Sequence, residues 1–266
     1  MDRRLALVTG ASAGIGAAFA RTLAGRGFDL ALAARRLDRL DALAAELRAA
    51  GGVEAVTVAA DLARPDGAAG ILDALAAQGR HVDVLINNAG YGLPGAYAET
   101  AWADQAAFIQ VMTTAPCALA HGVIGGMRAR RYGRIVNVAS VAGLVPPAAG
   151  HTLYGASKAF MVRFSQSLHL EAAPDGVHVS ALCPGFTYTE FHDANGTRER
   201  ASASTPKWLW MSAESVVEAG WRAVEANRPV CVPGPQYKLI TALARLIPEN
   251  LALAMMASQG GRVRRT

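Results

Sequence analysis

Tyr154 and Lys158 stand four residues apart in Tyr154-Gly155-Ala156-Ser157-Lys158, inside a stretch whose composition suits a helix. On a helix the two side chains share a face, one turn apart. A free tyrosine, with a pKa of about 10, is a poor acid–base catalyst at neutral pH. An ammonium one turn away would stabilise the phenolate and lower that value. Ser140, fourteen residues before Tyr154, follows an apolar run. It could hold a substrate oxygen while Tyr154 gives or takes the proton. Lysine is rare in this chain, occurring only at 158, 207 and 238, so its presence here carries weight. Taken alone, however, a Tyr-x-x-x-Lys pair on a helix is usually structural.

Two other segments supply company. Thr9-Gly10-Ala11-Ser12-Ala13-Gly14-Ile15-Gly16 lies between a strand-like run and an Ala-rich helical one. Its glycines permit a tight turn and let a pyrophosphate approach free backbone N–H groups at a helix start. A glycine turn by itself can be purely structural. The acid that usually holds an adenosine 2′-hydroxyl is expected about 20 residues further on. That zone reads Ala33-Ala34-Arg35-Arg36, with no acid before Asp38. Arg35, with Arg36 and Ser12, would instead meet a 2′-phosphate through charge-assisted hydrogen bonds, favouring NADP(H) over NAD(H). The plainer reading makes both arginines a solvated cap of the next helix. The second segment, Asn87-Asn88-Ala89-Gly90, closes an apolar run. It suits a site at a sheet's carboxyl edge, or an ordinary turn. The positive nicotinamide of an oxidised cofactor would add to Lys158 in favouring the Tyr154 phenolate.

Together these segments resemble the short-chain dehydrogenase/reductase family, from Leu5 to about Val232. The matching parts are TGASAGIG at 9–16, Asp61-Leu62, NNAG at 87–90, Ser140, YGASK at 154–158, and Pro184-Gly185 with Thr187 and Thr189. The resemblance implies hydride transfer between NADP(H) and a ketone, an aldehyde or a secondary alcohol, with Ser140, Tyr154 and Lys158 catalytic. It places the cofactor on Gly10, Ser12, Gly14, Ile15, Gly16, Arg35 and Arg36, with Asp61 and Leu62 beside the adenine. Asn88, Ala89 and Gly90 would support the neighbouring strand. Pro184, Gly185, Thr187 and Thr189 would border the nicotinamide, with both threonines on its carboxamide. Lys158 would hold the nicotinamide ribose and tune Tyr154. Two positions depart from the family pattern. Met112 stands where an Asn usually serves a water-linked proton relay, and Ala13 stands where many NADP-preferring members carry a base. The first supports a competing reading, a catalytically weak or inactive NADP(H)-binding regulator or scaffold of the same fold. The second keeps dual cofactor specificity open.

The elements that must position these residues follow from pattern. Apolar runs at 5–9, 28–34, 53–59, 82–87, 134–139, 177–183 and 229–232 lack polar alternation, as strands covered on both faces do. They alternate with helical segments, which argues for βα repeats. The expected fold is α/β: a single doubly wound Rossmann-type domain with a parallel seven-stranded sheet, order 3-2-1-4-5-6-7 by analogy, and helices on both faces. Leu37, Leu40, Leu43 and Leu47 make a core stripe, and Pro116 should kink a long helix over 101–131. Residues 1–235 form the cofactor-binding and catalytic domain, and 236–266 a helical extension with a basic tail. The irregular stretch 186–212 reads as a substrate lid, or as an aromatic plug. With Tyr91, Val141, His151 and Tyr188 it should shape a hydrophobic substrate pocket, with His151 at the rim.

The 266 residues are 52% hydrophobic and 18% charged, which excludes whole-chain disorder. Three scattered cysteines form neither a disulfide framework nor a metal set, and Cys183 and Cys231 read as buried, inert thiols. No metal is expected. The net charge of +5 is almost all arginine, clustered at 128–134 and 262–265. A solvated helix end and a loose terminus account for it without nucleic acid. No membrane span is expected. The apolar segment 238–257 could pack over the pocket, join subunits or touch a membrane peripherally. The expected partners are a small carbonyl or alcohol and further copies of the chain, as a homodimer or homotetramer. An N-terminus that runs straight into a strand suggests a cytoplasmic protein.

Overall fold

Each of the seven apolar runs becomes a parallel strand in the computed structural model, which describes residues 3–93, 95–190 and 205–263, side chains at 51 and 258–263 excepted. The strands are β1 (Leu5–Thr9), β2 (Asp29–Ala34), β3 (Ala55–Ala59), β4 (Val82–Asn87), β5 (Gly133–Val138), β6 (Val177–Leu182) and β7 (Val230–Cys231), in the order β3-β2-β1-β4-β5-β6-β7. β1 and β4 are wholly buried because helices cover both faces. One face carries α1 (Gly14–Ala24), α2 (Leu37–Gly51) and α7 (Ala213–Glu225) around Phe19, Leu40 and Trp221. The other carries α3 (Gly67–Ala76), α5 (Ala115–Ala129) and α6 (Thr152–Ala172) around Ile71, Leu119 and Met127. The strand order reverses between β1 and β4, so the connections leaving their carboxyl ends run to opposite faces and leave between them the crevice where such sheets bind ligands.

Three expectations change in detail. Leu40, Leu43 and Leu47 are buried, but Leu37 at the start of α2 is exposed. The thiol of Cys183 is buried, with its pKa pushed up to about 12 by burial, whereas Cys231 is only half-buried. The long helix is broken as Pro116 requires, but just upstream of it. α4 (Trp102–Ile109) passes into one wide turn, Gln110–Thr114, in which Ala115 N–H bonds the Gln110 carbonyl five residues back. Proline has no N–H to give to residue 112, and the wide turn absorbs that missing bond. Residues 102–129 are long and apolar enough to cross a bilayer by composition, yet Phe108, Leu119 and Met127 sit in the core.

The arginine cluster is spent on structure. Arg128 pairs with Asp175, Arg130 with Asp83 and Arg134 with Glu225. After β7, α8 (Pro235–Ala244) and α9 (Glu249–Val263) continue the chain. α8 buries Tyr237 and Thr241 but exposes Leu239, Ile240 and Leu243, so its apolar face is turned outward.

Candidate active site

The turn after β1 is built from glycine for steric reasons. Gly10 and Gly14 have φ of +65° and +55°, a region costly for residues with a Cβ. A Cβ on Gly10 would also stand 2.8 Å from Asn88 Nδ2. Gly16 has an ordinary backbone, but a Cβ there would run into the Gly10 carbonyl, with Asn88 Nδ2 at 2.6 Å. Asn88 Nδ2 donates to the Thr9 carbonyl at 2.9 Å, and Thr9 Oγ1 accepts from the N–H groups of Asn88 and Ala89. The Asn-Asn-Ala-Gly segment therefore welds the ends of β1 and β4 together. Asn87 continues the network, donating to Asn137 Oδ1 at 2.9 Å, and Asn137 donates to Ser165 on α6. α1 has no side-chain cap at Ala13, so its first N–H groups remain available to an anion.

At the end of β2 the two arginines separate. Arg36 donates from Nε and Nη2 to Ser12 Oγ at 3.3 and 3.0 Å, and from Nη1 to Glu190 at 3.2 Å. Arg39, one turn into α2, holds both oxygens of Glu190 at 2.8 Å. These partners keep the Glu190 carboxyl below its usual range. Arg35 also lines the cleft, exposed, and its charge acts on Tyr91. Asp61 and Leu62 lie on the same wall, with Asp61 accepting from Ala63 N–H at 3.0 Å.

The three candidate catalytic residues meet at the centre. Ser140 caps a single turn, Val141–Gly143, and accepts from Ala142 N–H at 3.1 Å. That turn lies directly on α6, because a Cβ on Gly143 would stand 2.7 Å from Ala159 N. The contact brings the Ser140 hydroxyl into hydrogen bonding with Tyr154, which is two residues into α6. Lys158, one turn on and 7% exposed, donates to the Val138 carbonyl at 2.8 Å. The electrostatics differ from the sequence expectation. Burial pushes the Tyr154 hydroxyl up, opposed by the Ser140 hydrogen bond. Burial also pulls Lys158 down to about 8. The lysine is directed at a backbone carbonyl, with its ammonium 5.7 Å from the centroid of the Tyr154 ring.

Ser140, Tyr154, Lys158, the glycine turn, both arginines, Asn88–Gly90, Pro184, Gly185, Thr187 and Thr189 line one cleft of about 1740 Å³; Gly16 is packed just behind it. Of the expected pocket residues, Tyr91, Val141 and His151 line it too, and His151 lies exposed at its rim, edge-on to Tyr154 at 6.5 Å. Tyr188 does not. It is 55% exposed and stacks on Trp210 at 4.9 Å, outside the lining. Residues 191–204 of the expected lid lie outside the described residues. The flanking part is held by Tyr237, whose hydroxyl accepts from Phe186 N–H at 2.8 Å and donates to the Leu209 carbonyl at 2.6 Å. Its ring fills the space a Cβ on Gly185 would take. Tyr237, Glu190, Arg39, Gly143 and the cleft-lining Met256 carry no local sequence signal. Met112 is buried, and its sulfur packs so closely on Gly90 that a Cβ there would come within 2.9 Å.

The residues present fit a nicotinamide adenine dinucleotide cofactor. The glycine cradle admits only bare backbone, the uncapped helix start faces it, and a guanidinium–hydroxyl pair stands at one end of the cleft. Among the described residues no cluster of His, Cys, Asp or Glu could hold a metal.

Comparison with known proteins agrees with this arrangement. The family model described as short chain dehydrogenase matches residues 4–200. A short-chain dehydrogenase from Sphingobium yanoikuyae, solved with NADPH, is 35% identical with a TM-score of 0.80, over 91% of this chain and 94% of that one. The bulky-bulky ketone specific alcohol dehydrogenase from Comamonas testosteroni is 31% identical with a TM-score of 0.76, over 99% and 95%. A short-chain dehydrogenase/reductase from Burkholderia phymatum, solved with NAD, is 29% identical with a TM-score of 0.79, over 91% and 92%.

Proposed function

As the chain belongs to the short-chain dehydrogenase family of oxidoreductases, we propose that it interconverts a ketone or aldehyde and the corresponding alcohol, with NADP(H) as its preferred cofactor and a hydrophobic substrate. The observation that carries this reading is the hydrogen-bonded pair of Ser140 and Tyr154 hydroxyls on the wall of the cleft, with Lys158 one turn away. When bound, the nicotinamide supplies or takes up the hydride. Lys158 would hold the nicotinamide ribose, Thr187 and Thr189 its carboxamide, and Ser12 with Arg36 the 2′-phosphate.

The chain's own chemistry is the handling of one oxygen and one proton. Ser140 Oγ donates to the substrate oxygen and polarises the carbonyl, and Tyr154 Oη delivers the proton that makes it a hydroxyl. A phenol pushed up by burial stays protonated at neutral pH, so in the ligand-free site Tyr154 holds the proton that reduction consumes. The Lys158 ammonium, largely protonated below about 8, would stabilise the phenolate left once that proton is delivered. Beyond the hydroxyl pair the cleft is lined by Val141, Val145, Pro146, Phe186 and Met256, an apolar wall suited to a hydrophobic carbonyl compound. The outward apolar face of α8 supports a homodimer or homotetramer, which light scattering in solution would check.

The test is NADPH oxidation over a panel of bulky ketones and aldehydes, with the wild type and Tyr154→Phe. Turnover of at least one carbonyl, lost in Tyr154→Phe with NADPH binding retained, is the expected result. A Tyr154→Phe protein that keeps its turnover refutes the mechanism. A wild type that binds NADPH but turns over nothing favours the scaffold reading, which the apolar packing of Met112 supports.

A further inference from the structure

We infer that Glu190 is a cofactor-specificity residue. Its carboxylate offsets Arg36 and Arg39 and offers an acceptor to ribose hydroxyls, so the protein separates NADP(H) from NAD(H) less sharply than its arginines alone would. The inference rests on the NADP(H) reading of the cleft.

The end of β2 carries no acid, and by sequence the adenosine-ribose pocket is purely cationic. The fold changes that by bringing in an acid from 154 residues away. Glu190 lines the cleft together with Ser12 and Arg36, and its neighbour Thr189 stands against Gly14 of the glycine turn. The carboxylate is thus part of the wall that faces the adenosine end.

Its hydrogen bonds determine its effect. Arg36 spends Nε and Nη2 on Ser12 and Nη1 on Glu190, while Arg39 gives Nη1 to both carboxylate oxygens. A 2′-phosphate on Ser12 and Arg36 would share a guanidinium already committed to an anion. It would also lie close to a second negative charge, and like charges repel. The 2′-hydroxyl of NAD(H) meets the opposite situation. It is a donor, and a carboxylate at the ribose is the acceptor that NAD-binding sites of this architecture use. Strength is bounded by exposure. The Glu190, Arg36 and Arg39 side chains are 48%, 43% and 44% exposed, so each pair is weakened by solvent and by salt. Glu190 therefore tunes the preference and does not reverse it.

The experiment measures binding by calorimetry for the wild type and Glu190→Gln. The ligands are NADPH and NADH, with 2′,5′-ADP and 5′-AMP as probes of the adenosine end alone. Glu190→Gln is isosteric and lies at an exposed position, and an unchanged melting temperature checks its fold. The expected result is a rise in the NADPH:NADH and 2′,5′-ADP:AMP affinity ratios of about 3- to 10-fold, shrinking at high salt. An unchanged ratio overturns the inference. So does a lowered one, which would make Glu190 a residue that positions Arg36 for the phosphate. If the wild type binds NADH but neither NADPH nor 2′,5′-ADP, the cofactor reading itself fails and this inference fails with it.

Discussion

Lys158 is a buried cation whose hydrogen-bond acceptor among the described residues of the ligand-free protein is the Val138 carbonyl at 2.8 Å. Replacing it with methionine, which is similar in length and uncharged, separates the cost of burying the charge from that of losing the bond. Burial lowers the lysine from 10.5 to about 8 in the folded protein, while the unfolded chain keeps the higher value. Between those values the unfolded state binds the extra proton, so wild-type stability rises with pH across that window. Below it the burial penalty is present in full, and 2.5 units correspond to about 3 kcal/mol. Losing the bond deprives a half-buried carbonyl of that donor, at a cost of about 1–3 kcal/mol that does not depend on pH. The two effects nearly cancel at pH 7, and Lys158→Met is expected there within about 2 kcal/mol of wild type.

The slope is more informative than either endpoint. As pH rises from 7 to 9.5 the wild type regains about 2 kcal/mol that the variant cannot, so the variant loses that much relative to it. Tyr154 and Cys183, both pushed up by burial, stay protonated in both folded proteins over this range and so drop out of the difference. The assay is urea unfolding without cofactor at half-unit pH steps, with equal m-values confirming a comparable unfolded state. A stability difference that is flat from pH 7 to 9.5 would refute the claim that Lys158 is a desolvated ammonium. It would imply that water reaches the side chain from the cleft.

Other outcomes follow from the same geometry. In turnover, NADPH-dependent reduction should be highest below pH 8 and fall above it as Lys158 loses its proton, measured as kcat against pH; a rate that climbs through pH 9 would contradict the acid role of the site. Gly16→Ala places a methyl group against the Gly10 carbonyl and Asn88, and should lower stability by about 1–3 kcal/mol while weakening NADPH binding, read by thermal melts and titration. Tyr237→Phe leaves the ring under Gly185 but removes the bonds to Phe186 N–H and the Leu209 carbonyl. It should cost about 1–3 kcal/mol and raise KM for the carbonyl substrate more than it lowers kcat.

The fold was legible because both faces of the sheet are covered, so its strands are largely apolar runs, interrupted at Asp83, Arg134, Asn137, His178 and Ser180, and its flanking helices carry apolar stripes against it. The strand limits shift by a residue or two, as Phe28 and Val53 show by falling outside β2 and β3. The central site was legible for a different reason: its parts are local. Tyr154 and Lys158 are fixed by helix spacing, the glycines by a turn, and Ser140 by the end of a strand. What pattern could not reveal are contacts made by distant residues of ordinary type. Arg35 and Arg36 are chemically identical neighbours, and only the direction of the chain leaving β2 decides that Arg36 reaches Ser12. Tyr237 reads as one apolar residue of a terminal helix, yet it sets the backbone of the cleft wall 51 residues upstream. Glu190 reads as a solvated charge until the crevice closes it onto two arginines. In each case the residue acts on the position or charge of another group and not on a reacting atom. A local motif can therefore specify the reaction, while cofactor preference and pocket shape are set by tertiary pairs.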